Sequence, residues 1–247
     1  MDVRNRILAV LKHQKPDVVP WLGELDYWMQ YLNVAGLMPE KYQGDGMFQL
    51  HRDLGMGFYL QGYFPFRTIY DGVQIIEEPV GRGKVIRVLT PYGELREFQE
   101  WLPISYCIGW TERFVKSWRD LKALRYFYEH TFYEPDYTEA ARRADLIGDN
   151  GIVLCYLPKS PLMELVVLLA GVRAVTFSLA DAPAEVEATL AIMEKKANEA
   201  SELALNSPAE CLMIPENLSS EMIGKRWYNR YIRPHDQYWT RRIREAG

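Results

Sequence analysis

Cysteine and histidine are scarce in this sequence, and their spacing excludes several kinds of site. The 247 residues include three cysteines and four histidines. The cysteines are odd in number and far apart, and no histidine lies within metal-ligand spacing of a cysteine, so neither a disulfide framework nor a zinc motif is present. We therefore predict no metal site in this chain and a reducing, cytoplasmic location. The residues concerned are Cys107, Cys155, Cys211, His13, His51, His130 and His235.

An excess of basic charge and long apolar runs are absent as well. The formal net charge is -4, so no basic field favours binding to nucleic acid. The longest apolar stretch, residues 162–177, contains Glu164 and Arg173 and is too short to span a bilayer. The N-terminal segment MDVRNRILAVLKHQ has helix-spaced apolar residues interrupted by charges and no small-residue cleavage site, unlike a signal peptide. We expect neither nucleic acid nor a membrane as a partner.

The sequence also lacks glycine-rich phosphate loops, since neither GxGxxG nor GxxxxGK[ST] occurs. What is present is an alternation of short apolar runs with long helical patterns, which favours a parallel sheet. Four of the runs are predicted strands, at residues 18–21, 57–63, 151–157 and 211–214. We predict an α/β fold, a (β/α)8 TIM-type barrel truncated to about its first half, strands 1–4, in a single domain over 1–247.

Residues 72–100 have a different pattern from the rest of the chain. Apolar and polar residues alternate there, and turns are indicated at residues 81–83 and 92–93. We predict an antiparallel β meander inserted in a longer βα connection and lying at the surface. The predicted helices are an N-terminal helix capped by Asp2, a helix starting near residue 27, helices at 39–54, 112–130, 136–147, 160–170 and 183–206, and a long helix after residue 217.

Acidic residues follow two of the predicted strands at their carboxyl ends, where barrel enzymes carry their chemistry. Glu216 follows the fourth strand, and Glu24 and Asp26 follow the first, with side chains that point the same way in an extended chain. We predict that Glu216 and Glu24 are catalytic residues that orient a ligand or transfer protons. In the alternative interpretation, Glu216 accepts hydrogen bonds from the start of the following helix and Asp26 caps a helix.

Further side chains near these strand ends are candidates for binding the substrate. Lys159 follows the third strand, and Asn217 could either bind a substrate or shape the turn. Trp21 and Tyr27 could wall a pocket for a flat ligand, with packing in the barrel as the alternative. We include Asp26 among the binding candidates, interpret Ser160 as a helix cap, and expect His235 to be exposed on the last helix.

Several segments resemble the uroporphyrinogen decarboxylase superfamily. The opening RNRILAVLKHQKPDVVPW is similar to the family's first helix, its Lys-Pro-Asp and its first strand, and the meander at 72–100 is similar to its β insertion. The segment GIVLCYLPKSPLMELVVLLAG resembles the third strand with its helix. The segment from Glu210 to the C-terminus resembles the fourth strand and long helix, with an acid at the strand end, S-x-E-x-x-G, aromatic-Tyr-x-x-Pro and Arg-Glu-Ala-Gly. Together the matches cover the whole chain.

This resemblance implies a (β/α)8 barrel with one of two activities. One branch decarboxylates uroporphyrinogen without a cofactor, and the other transfers methyl groups between corrinoid proteins and thiols through a zinc-activated thiolate. The decarboxylases carry Arg-Gln-Ala-Gly-Arg-Tyr after strand one, Ser-Asp after strand two and Glu-Ser after strand four. Here residues 22–27 are LGELDY, residues 60–63 are LQGY, and the fourth strand is followed by Glu216-Asn217. Because two acids replace two carboxylate-binding arginines, the sequence argues against uroporphyrinogen itself as the substrate.

On this resemblance we predict an enzyme fragment whose full-length form is methyltransferase-like and uses zinc and a corrinoid. The family's zinc ligands would lie beyond residue 247, so this chain alone is expected to bind no cofactor and to be inactive. The predicted partner is a small-molecule substrate or a corrinoid protein. Two alternatives stay open: a decarboxylase-like lyase of tetrapyrrole metabolism acting on a carboxylated substrate, and an inactive half-barrel with a binding or assembly role. Exposed sheet edges predict a homo-oligomer or pairing with the missing half of the barrel.

Overall fold

The computed structural model describes residues 1–44, 46–58 and 60–247 as a mixed α/β protein. Its helices are α1 (Val3–Leu11), α2 (Asp26–Val34), α3 (Met47–Asp53), α4 (Leu121–Glu129), α5 (Thr138–Ile147), α6 (Pro161–Glu164), α7 (Gly171–Asp181), α8 (Pro183–Leu205), α9 (Lys225–Trp227) and α10 (Arg233–Ala246). Its strands are β1 (Leu22–Gly23), β2 (Gly57–Phe58), β3 (Phe66–Tyr70), β4 (Gln74–Val80), β5 (Gly83–Thr90), β6 (Gly93–Leu102), β7 (Cys107–Glu112), β8 (Thr131–Pro135), β9 (Leu154–Tyr156) and β10 (Cys211–Met213). None of the helices in the described ranges is both long and apolar enough to cross a membrane.

Two of the predicted elements include a residue outside the described ranges. These residues are Asp45, in the helix predicted at 39–54, and Tyr59, in the strand predicted at 57–63. Within the described part of the first, a 3-10 turn at Glu40–Tyr42 precedes α3, which ends before Gly55. The second is present as β2 and a single bridge at Tyr63.

Four short parallel segments follow one another in chain order. β1 pairs with β2, with Leu22 opposite Gly57. Tyr63 forms a parallel bridge to Cys155 of β9, and β9 pairs in parallel with the three residues of β10. The parallel direction of the predicted strands is therefore confirmed, although each strand is only two or three residues long. The paired strands of the described ranges do not form a closed barrel.

The first of these strands lies later in the chain than predicted. Residues 18–21 were predicted as the strand, but Val18 and Val19 are exposed and β1 begins at Leu22. Two prolines flank the valines, and a proline ring has no N–H to donate to a neighbouring strand. The backbone N–H of Gly57 instead donates to the carbonyl of Trp21 at 2.7 Å, where the pairing with β2 begins.

The predicted antiparallel meander is confirmed and has one more strand than expected. β4, β5, β6 and β7 form a four-stranded antiparallel sheet in chain order. The turns after β4 and β5 include Gly81 at φ 58° and Gly93 at φ 130°, a region that residues with a Cβ atom rarely adopt. One face of the sheet buries Val88 and Leu95 in the same apolar cluster as α4. The meander therefore belongs to the main core and is more than a surface flap.

A second antiparallel pair was not predicted from the sequence. β3 pairs with β8 over five residues, with Tyr70 opposite Thr131 and Phe66 opposite Pro135. These strands precede and follow the meander in the chain, so their ladder joins the two ends of the insertion. The helix predicted at 112–130 is shorter at its start, because β7 continues to Glu112 and a 3-10 turn at Trp118–Asp120 precedes α4. Its start is fixed by the carboxylate of Asp120, which accepts hydrogen bonds from the backbone N–H of Lys116 and of Ser117.

Two helices that were predicted as continuous contain wider π-helical turns. α6 begins at Pro161 as predicted, but a π-helical turn at Leu165–Leu169 separates it from α7. In the C-terminal helix a π-helical turn at Tyr228–Ile232 separates α9 from α10. Pro234 lacks the N–H that would otherwise bond to the carbonyl four residues earlier, which gives a physical reason for the second irregularity.

The apolar core has two main parts. The larger part lies among α4, α6, α7, α8 and the meander, and its fully buried members include Leu121, Leu162 and Met193. The second part surrounds β9, where Cys155, Leu157 and Trp239 are fully buried. The indole Nε1 of Trp239 donates to Oδ1 of Asn198 at 3.0 Å and joins α10 to α8. This second part supports the loops that follow β9 and β10.

Candidate functional site

The shared direction of the short parallel strands brings the loops after them to one edge of the molecule. β9 and β10 are neighbours, and adjacent strands lie only about 5 Å apart. Residues 157–160 follow β9, and residues 214–217 follow β10. The structure brings together three of the predicted site residues in these two loops: Lys159, Glu216 and Asn217.

The carboxylate of Glu216 connects the two loops. Its Oε1 accepts a hydrogen bond from the backbone N–H of Ser160 at 2.5 Å, and its Oε2 accepts one from the Ser160 hydroxyl at 2.7 Å. Ser160 is fully buried and directly precedes α6. Glu216 thus satisfies polar groups at the start of a helix, as the alternative interpretation anticipated, but the helix is α6 and not the one that follows Glu216 in the chain. Its predicted catalytic role stays a prediction.

The ammonium group of Lys159 is held by the loop after β10. Its Nζ donates to the carbonyl of Pro215 and, at 2.5 Å, to Oδ1 of Asn217. Asn217 has φ 53°, in the left-handed region that asparagine tolerates better than most residues. Burial lowers the pKa of Lys159, while the carboxylates of Glu216 and Glu164 oppose that shift. The lysine therefore combines partial desolvation with nearby negative charge.

An aromatic cavity of about 330 Å³ lies next to Lys159. Glu164 of α6 also lines this cavity, and its Oε1 accepts a hydrogen bond from the hydroxyl of Tyr128 at 2.8 Å. The cavity walls include Phe64, Phe66, Tyr70, Phe127, Tyr128 and Tyr133. A cavity with flat apolar walls and a few convergent polar groups is the usual form of a small-molecule site.

Burial perturbs the titration of the groups around this cavity. Burial is the largest cause that raises the pKa of Glu164, and the hydrogen bond from Tyr128 acts against it. Burial also raises the pKa of Tyr128, with the nearby charge of Glu164 adding to the effect. Because its pKa is raised, Glu164 keeps its proton to a higher pH than an exposed glutamate does. Glu164 is therefore a candidate proton donor that faces a cavity.

A further acid and a histidine come from the start of α10. The expectation that His235 is exposed is wrong: its side chain is buried, and its Nδ1 lies 3.0 Å from Oε1 of Glu194. Burial, with the charge of Glu216 adding to it, raises the pKa of Asp236 to about 6. Oδ1 of Asp236 is buried and has no hydrogen-bond partner in the described ranges. Asp236 therefore lies near enough to Glu216 for the charge of that glutamate to act on it.

The predicted acids after β1 form a second group. Oε1 of Glu24 accepts a hydrogen bond from Nε2 of Gln61 at 2.7 Å. Asp26 occupies the first turn of α2 and makes no side-chain cap, so the capping interpretation is wrong. Burial first and the charge of Glu24 second raise the pKa of Asp26. The buried ring of His51 lies behind the loop, with Nε2 at 2.9 Å from the carbonyl oxygen of Gly23.

The two aromatic residues predicted to wall a pocket are mostly in solvent. Trp21 is 59% exposed and Tyr27 is 53% exposed. Packing in a barrel core does not describe this arrangement, because rings packed in a core would be largely covered. The aromatic cavity is instead formed by residues of β3, α4 and β8. The predicted binding roles of Trp21 and Tyr27 stay predictions.

The side chains of the described ranges do not suit a zinc centre. They contain no group of three or more histidine, cysteine, aspartate or glutamate residues that could hold a metal ion. Burial raises the pKa of Cys155 to about 11 and also raises that of Cys211, so both thiols are protonated at neutral pH. A cysteine binds zinc as the thiolate. No step through zinc or a corrinoid can therefore be assigned to these residues.

Sequence reasoning missed Glu164, Tyr128 and Asp236. The sequence did contain a signal for Glu164, which is the single acid inside the apolar run of 162–177. Burying an acid without a hydrogen-bond or charge partner is energetically unfavourable, so such a residue has a partner or a function. Tyr128 and Asp236 gave no comparable signal. Tyr128 reaches the cavity only because α4 packs near α6, a contact between distant parts of the chain.

Comparisons of the chain with models of protein families, with curated proteins and with solved structures find no match.

Proposed function

We propose that this chain is part of an enzyme of the uroporphyrinogen decarboxylase superfamily with a (β/α)8 barrel, and that it acts on a small carboxylated molecule with a flat apolar part. The observation that carries the proposal is that Lys159 and Glu164 line the same aromatic cavity. The chain order of the parallel segments supports the barrel, because successive strands of a TIM barrel are also neighbours.

Lys159 is suited to bind a carboxylate of the substrate. Its ammonium already donates to the amide oxygen of Asn217, which a ligand carboxylate can replace with a stronger charge-assisted hydrogen bond. Tyr70 and Tyr133 offer flat faces for an apolar ring, and stacked or edge-to-face contacts with such a ring are favourable. The cavity therefore selects for a molecule that is anionic at one end and flat at the other.

Decarboxylation is the reaction that these groups favour. The bond between the carboxylate carbon and its neighbour breaks, CO2 leaves, and the electron pair stays on the neighbouring carbon. Glu164 in its protonated form, which burial favours, donates its proton to that carbon and then regains a proton from water. The apolar walls assist because the localised charge of the carboxylate is dispersed as CO2 forms, and a dispersed charge depends less on hydration than a localised one.

Methyl transfer is a second candidate, and one observation favours it. Glu24 and Asp26 follow β1, where the decarboxylases that the sequence resembles carry arginines. Two acids at that position would repel a polyanionic tetrapyrrole. Methyl transfer would require zinc ligands that the described residues do not supply, and a corrinoid protein as its partner. For this reason we put the lyase function first and restrict it to a substrate smaller than uroporphyrinogen.

The test is the release of CO2 from a panel of heteroaromatic acids labelled at the carboxyl carbon, measured by mass spectrometry with the full chain. We expect Glu164→Gln to slow release by about 100-fold or more, because it removes the proton donor. Lys159→Met should mainly raise KM. The control Glu245→Gln alters an exposed acid of α10 and should leave the rate unchanged. If no acid of the panel is decarboxylated and none binds in calorimetry, the lyase proposal fails and a binding or assembly role replaces it.

A further inference from the structure

A second opening, a cleft of about 630 Å³, lies between the end of the meander and α7, apart from the aromatic cavity. Its walls come from β7, from the segment that follows it, and from α7. The residues that matter here are Arg113, Lys116, Trp118, Arg119, Arg173, Phe177 and Ser178. Four of the lining side chains are cationic, and two, Glu112 and Asp181, are acidic. The cleft is therefore basic in a chain whose net charge is -4.

Two of the four cations are already occupied. Lys116 is 3.0 Å from the carboxylate of Glu112, which also pairs with Arg96. The guanidinium of Arg113 donates to the carbonyl oxygens of Val167 and Leu168 at the π-helical turn. These two side chains hold the walls of the cleft together and are not free to bind a ligand.

The other two cations are free. Within the described ranges, neither Arg119 nor Arg173 has a carboxylate within ion-pairing distance, and both are exposed. Arg119 lies over the ring of Trp118, with its Cζ 4.8 Å from the ring centroid. Such stacking orients the planar guanidinium while leaving its edge N–H groups available, and this edge matches the oxygens of a phosphate.

An aromatic surface and an unused hydroxyl lie beside these arginines on α7. Phe177 follows Arg173 by one helical turn, lines the cleft and is 57% exposed. Ser178 also lines the cleft, is 3% exposed, and its buried hydroxyl has no hydrogen-bond partner in the described ranges. An unsatisfied buried hydroxyl is rare in a folded protein and calls for a partner.

We propose that this cleft binds a phosphorylated small molecule that carries a flat ring, of the mononucleotide class. Arg119 and Arg173 bind the phosphate, and Phe177 stacks on the ring. Phosphate recognition by side chains is compatible with the absence of a glycine-rich phosphate loop from the sequence. The site is separate from Lys159 and Glu164 and does not depend on the proposed lyase function.

The test is calorimetric titration of the full chain with adenosine diphosphate, inorganic diphosphate and adenosine. We expect adenosine diphosphate to bind at one site, and each of the other two to bind more weakly because it lacks either the ring or the phosphates. Arg119→Gln and Arg173→Gln should each weaken adenosine diphosphate binding about fivefold. Phe177→Ala should weaken binding of adenosine diphosphate but not of inorganic diphosphate. Added salt should weaken binding, since exposed charges are screened.

Two control variants show whether binding depends on the cleft itself. Arg241→Gln removes an exposed arginine of α10 and should not change binding. Glu164→Gln should also leave binding unchanged, which distinguishes the cleft from the aromatic cavity. The proposal is overturned if adenosine diphosphate does not bind at millimolar concentration, if adenosine binds equally well, or if neither cleft arginine variant weakens the binding of adenosine diphosphate. Circular dichroism of each variant confirms that it folds.

Discussion

Ser160 donates both of its hydrogen-bonding groups to a single partner, the carboxylate of Glu216, at 2.5 Å from the backbone and 2.7 Å from the hydroxyl. This pair joins the loops after β9 and β10. We expect Ser160→Ala to lower the free energy of unfolding by about 1 to 3 kcal/mol, because one carboxylate oxygen loses its partner at a buried position. Urea denaturation measures the loss.

The matched control for that variant is Ser220→Ala, which alters an exposed serine of the following loop and should change stability by less than about 0.5 kcal/mol. Glu216→Gln should cost less than Glu216→Ala, since the Ser160 hydroxyl can turn and accept from the new amide group. Equal losses for the two Glu216 variants would contradict the importance of these two hydrogen bonds.

Asp236 makes the stability depend on pH. Burial raises its pKa to about 6 in the folded protein, above the ordinary value of 3.8. Between about pH 4 and pH 6 the folded state therefore holds the proton more tightly than the unfolded state, so stability falls as the pH rises through this window. We expect Asp236→Asn to be more stable than the natural protein by about 1 kcal/mol near neutral pH, after allowance for solvent screening.

The measurement is urea denaturation of both proteins at about pH 4.5 and about pH 7.5. The difference between them should be small at the lower pH and larger at the higher one. Asp145→Asn, at an exposed position of α5, is the control and should follow the natural profile. If the difference in the free energy of unfolding between Asp236→Asn and the natural protein did not change with pH, the raised pKa of Asp236 could not be its cause.

Gly151 precedes β9 where the chain passes close to β2. A Cβ atom there would overlap the backbone oxygen of Phe58, which cannot move without shifting β2. We expect Gly151→Ala to cost about 1 to 3 kcal/mol in thermal or urea unfolding. Gly224→Ala is the comparison, since nothing lies within 4 Å of its added Cβ and its φ is -69°. That variant should be neutral or slightly stabilising.

Cys155 should be chemically inert in the folded protein. It is fully buried, and its pKa is raised to about 11, so the reactive thiolate is scarce at neutral pH. We expect alkylation with iodoacetamide to leave Cys155 unmodified in buffer and to modify it fully in concentrated urea, as read by peptide mass spectrometry. Rapid modification in buffer would mean that β9 opens without global unfolding.

The sequence predicted the helix starts and turns that are determined by neighbouring residues. Asp2 caps α1 as expected, accepting from the backbone N–H of Asn5 at 2.7 Å. The helix predicted at 183–206 is α8, and Pro161 begins α6. The turns at Gly81 and Gly93 follow from the conformational freedom of glycine, and the alternating pattern between them gave the meander.

The features that depend on distant contacts were not predictable in the same way. The ladder of β3 and β8 joins segments separated by the whole meander, and nothing in Phe66 or Thr131 alone indicates it. The candidate site was predicted in part, since Glu216, Asn217 and Lys159 lie together as strand order implies. The aromatic walls of the cavity were not predicted, because most of their residues come from β3, α4 and β8, which are distant from the two loops in the sequence. Trp21 and Tyr27 do not line that cavity, and their predicted binding roles stay predictions.

The π-helical turn at Tyr228–Ile232 also determines which way α10 faces. A π-helical turn holds one more residue than an α-helical one, and each residue advances an α-helix by about 100°. Deleting one residue there would rotate Trp239 out of the core, together with the two titratable residues at the start of α10. The extra residue in the π-helical turn keeps the buried side chains of α10 facing the core. We therefore expect this segment to tolerate a substitution better than an insertion or a deletion.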